Sequence, residues 1–167
     1  MHVVVAGALV DNDAVLLAHR RPTKRAYPDV WDLPGGLVEA GESELQALAR
    51  EMHEELGVHI VAESASRLGV LLTDSGGVSL HVGVWQVGEW IGSPTNRAPD
   101  EHDAIAWFAV SELGALHLPH GVLAAMVRSL PEFEWARGHS GDADCDRGGK
   151  ADCRGCAGMI YRFQRGA

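Results

Sequence analysis

The stretch that most constrains this chain is residues 35–58, where a glycine pair, an acidic loop and a capped amphipathic helix follow one another. Leu45, Leu48, Ala49, Met52 and Leu56 recur at helical spacing and predict one apolar stripe over residues 44–56. Ser43 and Gln46 form a capping box at the start, and Gly57 supplies a left-handed stop. Arg50, Glu51, Glu54 and Glu55 lie away from the stripe. Carboxylates three and four residues apart repel one another, and acids near a helix C-terminus oppose its dipole. Only one arginine stands among them. A divalent cation reverses the sign of that cost, and oxygen donors of this kind suit Mg²⁺ or Mn²⁺. The competing reading is a solvated acidic face.

Around this helix, residues 2–10 and 14–20 read as strands joined by an Asp11-Asn12-Asp13 turn. Residues 21–34 read as a basic loop running into Trp31-Asp32-Leu33-Pro34. Residues 58–72 are strand-like, 73–77 a turn, 78–87 a strand, 89–103 a long loop and 104–110 a short strand. Ser111 opens a capped turn, and 119–130 reads as a second helix with Pro119 in its first turn. The order of elements predicts an α/β (α+β) fold, a mixed β-sheet sandwiched between helices, in a domain spanning 1–136. Residues 137–167 form a separate Gly/Asp/Arg/Cys-rich tail, expected to be flexible because it lacks large apolar residues to offset ordering entropy.

The pattern Gly36-x5-Glu42-x7-Arg50-Glu51-x2-Glu54-Glu55-x-Gly57 resembles, without a mismatch, the Nudix box of the Nudix hydrolase superfamily. The flanking strand pattern extends the resemblance over about residues 2–130, and the tail lies outside it. It implies a pyrophosphohydrolase that cleaves the diphosphate linkage of a nucleoside triphosphate or related nucleoside diphosphate derivative. Metal-activated water would attack phosphorus, with Glu54, Glu51, Arg50 and Glu55 as catalytic residues. Gly35, Glu51, Glu54, Glu55 and Glu101 would hold the Mg²⁺ (or Mn²⁺). The glycine pair permits a tight turn and close approach of a carbonyl. Arg50 is suited to a bidentate pair that fixes a carboxylate, and Glu42 to fixing the loop at the helix N-terminus.

Within the superfamily the sequence resembles MutT-type nucleoside triphosphate pyrophosphohydrolases. An Arg20-Arg21 pair ends the second strand, and in such proteins the second arginine contacts phosphate. Arg21, with Arg20 and Lys24, is therefore a candidate substrate-binding residue; the alternative is a solvated basic strand end. Glu101 lies six residues before Trp107, as does an additional metal-binding glutamate of MutT-type proteins; the alternative is a polar loop. Trp31, Trp85 and Trp90 are candidates to stack a base, weighed against a place in the core. No Asn occurs between 112 and 130, where oxidised-guanine-specific relatives read the base edge, so 8-oxo-dGTP hydrolysis is the alternative substrate. A non-catalytic nucleotide sensor is a further alternative, opposed by the complete set of carboxylates. His53, His81 and His102 are left without a role.

Composition narrows the partners. A net charge of −9 argues against binding a nucleic-acid polymer or an anionic membrane surface, both of which run on basic residues. No apolar run reaches the roughly 20 residues of a membrane span, and no signal-peptide pattern opens the chain. Three cysteines, all at 145–156, make no disulfide framework. Cys153-x2-Cys156 with Cys145 and His139 allows a zinc site, but free thiols are the favoured reading. The expectation is a cytoplasmic protein, monomer or homodimer, acting on a small nucleotide.

Overall fold

The computed structural model describes residues 2–11, 13–75 and 77–119. Strand β1 (His2–Asp11) runs through the centre of the sheet. Its end turns back into β2 (Ala14–Arg20), with Val10 opposite Val15. The other half of β1 pairs antiparallel with β4 (Gly35–Leu37), Ala6 opposite Gly35 and Val5 opposite Gly36. On its far side β1 pairs in parallel with β7 (Val78–Val87), from His2–Leu80 to Leu9–Val87. β6 (Ser66–Ser75) pairs antiparallel with β7. β3 (Trp31–Asp32) and β9 (His102–Ala109) both pair with β2. A second, two-stranded sheet joins β5 (His59–Ile60) to β8 (Trp90–Ile91).

Helix α1 (Glu44–Leu56) forms where its stripe and caps predict it. The Ser43 side chain accepts from the Gln46 amide, the Gln46 side chain accepts from the Ser43 amide, and Gly57 stops the helix at φ 72°. Alternation along β1 sends Val5 and Leu9 toward α1, where they meet Leu48, Met52 and Leu56. Each fully buried side chain of that size contributes on the order of 2 kcal/mol to holding the helix on the sheet. Ala6, Ala8 and Val10 point the other way, into a cluster with Val15, Leu17, Leu33 and Leu113. The mixed sheet with a helix on one face confirms the expected fold class; the segment 119–130, expected to flank the other face, lies outside the described residues apart from Pro119.

The structure corrects several boundaries. The strand-like run 58–72 is broken by a 3-10 turn at Ala62–Ser64, and strand pairing then continues to Ser75, leaving a shorter turn than 73–77. The long loop 89–103 contains β8, and the basic loop 21–34 contains β3. The turn after β9 is a 3-10 helix, Val110–Ala115, and its cap comes from the Glu112 carboxylate on the Ala109 amide. Two-residue strands are made by their partners, so no local periodicity announces them. No helix among the described residues is long and apolar enough to cross a membrane.

Candidate active site

The site begins with Arg50, half-buried on the outward side of α1. Its Nε donates to Glu42 Oε1 at 2.9 Å and its Nη2 to Glu42 Oε2 at 3.0 Å, a two-pronged pair. Nη2 also donates to the Leu37 carbonyl at 2.9 Å. Nη1 donates to Glu51 Oε1 at 2.7 Å and to Glu54 Oε2 at 3.2 Å. One guanidinium thus ties the loop before the helix to two helix carboxylates and to strand β4. The hydrogen bond from Arg50 holds the Glu42 carboxyl below its ordinary range, and the same bond raises Arg50.

Glu55 is the buried acid of the group, 5% exposed. Its Oε2 accepts from the Gly35 amide at 2.9 Å. Burial pushes its carboxyl up to about 8; the Gly35 hydrogen bond opposes the rise, and the charges of Glu51 and Glu101 add to it. Burial also raises Glu51, Arg50 opposes, and Glu54 and Glu101 push further up. The glycine pair makes room for these acids. At Gly35, φ is +148° and a Cβ would stand 2.1 Å from the Val5 carbonyl oxygen. A Cβ on Gly36 would stand 2.3 Å from Glu51 Oε1, so the carboxylate occupies the space that a side chain would fill.

Other candidate residues stand around this group. Glu101 ion-pairs with Lys24 (Nζ to Oε2, 3.2 Å) while its charge reaches Glu51 and Glu55. Arg21 donates through Nη1 to the Pro99 carbonyl at 2.8 Å, and through its amide to the Glu101 carbonyl at 3.0 Å. Arg20 donates to the Ala26 carbonyl, and its charge acts on Asp32, Glu55 and His102. The structure does not bring Trp31 to the carboxylates. It packs between His19 (4.9 Å between centroids) and Phe108 (4.7 Å), against the cluster on the face away from α1. Trp90 is 1% exposed and stacked on Trp107, a core residue that offers no platform for a base. Trp85 donates to Glu44 and lies under Arg67, so it clamps the first turn of α1 to the sheet. His53 stacks on His59, and His102 is buried, which holds it down at about 4.

Two participants were not singled out from sequence. The Leu37 carbonyl is anonymous in a sequence. Asp32 had a signal, a lone carboxylate between Trp31 and Leu33 just before the glycine pair. Burial pushes it up to about 6, against the pull of Arg20.

A cation fits this donor set. The acids are all hard oxygen ligands, burial and mutual repulsion raise the carboxyls of Glu51 and Glu55, and the bare Gly36 backbone gives the Glu51 carboxylate its place. In this conformation no three His, Cys, Asp or Glu side chains among the described residues are gathered closely enough to hold an ion.

A strand–loop–helix segment whose helix turns carboxylates toward a glycine pair on the preceding strand is the arrangement of a Nudix-type hydrolase. The chain belongs to that family, since the NUDIX domain model matches residues 1–132. It is 40% identical over 113 residues to a Mycobacterium tuberculosis protein with the provisional name 8-oxo-dGTP diphosphatase 2, covering 66% of this chain and 75% of that one. It is 31% identical over 117 residues to the CTP pyrophosphohydrolase of Escherichia coli, covering 70% of this chain and 82% of that one. Among solved structures, a MutT NUDIX hydrolase from Burkholderia pseudomallei superimposes with a TM-score of 0.65 at 27% identity, covering 78% of this chain and 98% of that one. The protein is a hydrolase of the MutT-like branch.

Proposed function

We propose that the chain hydrolyses the diphosphate linkage of a nucleoside triphosphate, releasing a monophosphate and pyrophosphate, with Mg²⁺ or Mn²⁺ as cofactor. The observation that carries this reading is the Arg50 fork, which gathers Glu42, Glu51 and Glu54 beside the buried Glu55. A bound divalent cation would lower the pKa of its water and neutralise charge on the phosphoryl oxygens. Glu51, Glu54, Glu55, Glu101 and the Gly35 backbone are the groups that would hold it. Arg50 positions Glu51 and Glu54 through its hydrogen bonds to both. The Gly35 amide fixes the ring of acids at Glu55, whose raised carboxyl stands ready to take a proton from attacking water once ionised. Arg21, Arg20 and Lys24 line the neighbouring loop as cationic contacts for the phosphates.

Two relatives carry names for different bases, 8-oxo-dGTP and CTP, and both are candidate substrates here. The test is a panel of nucleoside triphosphates, including these two, with Mg²⁺ and product identification. Release of pyrophosphate, lost in Glu54→Gln and Glu55→Gln, is the expected result. Release of orthophosphate overturns the cleavage position, and turnover unchanged in both variants overturns the residue roles. Thermal stabilisation by nucleotides without turnover would instead make the protein a sensor.

A further inference from the structure

We infer that Lys24 exchanges partners during the working cycle: it is the counter-ion of Glu101 in the free protein and a phosphate contact in the loaded one. The inference rests on the reading of Glu101 as a metal ligand.

Arg21 and Lys24, two of the three basic residues of the β2–β3 loop, are held in different ways. Arg21 and Lys24 form one turn, the Lys24 amide donating to the Arg21 carbonyl at 3.0 Å. Both then reach the loop that precedes β9. Arg21 spends its guanidinium on a carbonyl, that of Pro99, and its amide on the Glu101 carbonyl. These hydrogen-bond partners are neutral, and the carboxylate its charge acts on is Asp103. Lys24 instead places Nζ 3.2 Å from Glu101 Oε2, and its charge is neutralised there. The pair is solvent-accessible, with the two side chains 28% and 48% exposed, so it can be exchanged for another partner at modest cost.

Glu101 faces two ways. Its side chain contacts Lys24, and its charge also acts on Glu51 and Glu55, whose carboxyls it raises. A divalent cation among those three acids would take the oxygen that Lys24 now occupies. The released ammonium would stand beside Arg21, on the same turn, at the mouth of the acid group. A triphosphate brought there supplies the negative charge that Glu101 has withdrawn. Metal and phosphate thus assist one another through Lys24, each removing the cost that the other would meet alone.

The experiment measures Mn²⁺ binding to the full chain by electron paramagnetic resonance, with and without inorganic tripolyphosphate. Lys24→Met is expected to tighten Mn²⁺ binding in the absence of phosphate by about two- to fivefold, the range expected from an exposed ion pair. The same variant is expected to weaken binding of manganese tripolyphosphate by at least a similar factor. In a Glu101→Gln background Lys24→Met should no longer change Mn²⁺ affinity. Melting temperatures of the variants confirm that each is folded. Mn²⁺ affinity unchanged by Lys24→Met, while Glu101→Gln weakens it, overturns the exchange and leaves the metal reading standing. Mn²⁺ affinity unchanged by Glu101→Gln overturns the metal reading of that residue, and the exchange falls with it. An equal effect of Lys24→Met in both backgrounds shows a general charge effect and also overturns the exchange.

Discussion

The adjacent glycines at 35 and 36 make the sharpest prediction, because the same substitution at each should fail for a different reason. At Gly35 an added Cβ meets backbone: the Val5 carbonyl oxygen at 2.1 Å and Ala6 Cα at 2.9 Å, in a residue with φ +148°. Nothing there can rotate away. Backbone strain and overpacking together cost about 3 kcal/mol or more. For a domain of this size that lowers the melting temperature by roughly 6–12 °C. Gly36 is different. Its φ is not in the left-handed region, and the Cβ meets the Glu51 carboxylate, Oε1 at 2.3 Å. Ordinary contact begins at 3.4 Å, so the carboxylate must retreat by about 1.1 Å (3.4 − 2.3) and loosen its 2.7 Å bond to Arg50. That costs about 1 kcal/mol of stability, a drop of roughly 2–4 °C. A misplacement of about 1 Å in a catalytic group costs on the order of 100-fold in rate. Gly36→Ala should therefore lose about 100-fold in kcat/KM on the preferred triphosphate while melting close to wild type, and Gly35→Ala should lose the fold's stability first. Scanning calorimetry and steady-state hydrolysis of purified variants make the comparison. Full activity in Gly36→Ala, or a Gly35→Ala melting point within about 2 °C of wild type, refutes the packing argument.

Arg50→Lys keeps a charge but loses the fork that spans Glu42, Glu51, Glu54 and the Leu37 carbonyl; hydrolysis should fall by at least tenfold, roughly one lost charge-assisted bond, and wild-type rates would show that the fork is dispensable. Ser43→Ala removes one half of the capping box and should cost about 1 kcal/mol in urea unfolding, with kcat little changed. Asp32, raised from 3.8 to about 6 by burial, binds its proton more tightly folded than unfolded. Its contribution to stability is present below pH 3.8 and is lost as pH rises to about 6, so the stability of wild type relative to Asp32→Asn should fall across that window. A difference independent of pH would contradict the burial argument. The family match ends at residue 132, so a chain truncated after residue 136 should hydrolyse the preferred triphosphate at the full-length rate, read in the same steady-state assay.

What the sequence disclosed followed the range of the interactions concerned. Helix α1, its capping box, its glycine stop and the outward placing of Arg50, Glu51 and Glu54 rest on contacts within a few residues and were legible, whereas the burial of Glu55 was not. So were β1, β2 and β7, long enough to show their apolar character. The two-residue strands were not, nor was the parallel pairing of β1 with β7, because neither leaves a periodic trace. Arg50 was recognisable as a residue able to fork a carboxylate, and the structure supplies the particular partner, Glu42, and the reach to Glu51 and Glu54. Trp31 shows the limit: it precedes the glycine pair by four residues, yet it packs against His19 and Phe108 in the cluster on the face away from α1.

Glu101 shows how a residue distant in sequence comes to act on the helix acids. A helix leaves its last carbonyls without partners, and they must find donors. In α1 the Gly57 and Val58 amides serve His53 and Met52, which is local and expected. The carbonyls of Leu56 and Glu55 are met from elsewhere, by the amides of Thr95 at 2.9 Å and Arg97 at 2.8 Å. The segment that caps the helix is the one that leads into Glu101. It is stiffened on the way by Asn96, whose side chain donates to the His102 carbonyl and accepts from the Ala98 amide. The requirement for donors at the end of α1 was therefore written in the sequence, but the loop that would answer it was not. Because that loop answers it, the order of the helix terminus and the placement of Glu101 are one structural fact, and a change that frays the last turn of α1 should displace Glu101 as well.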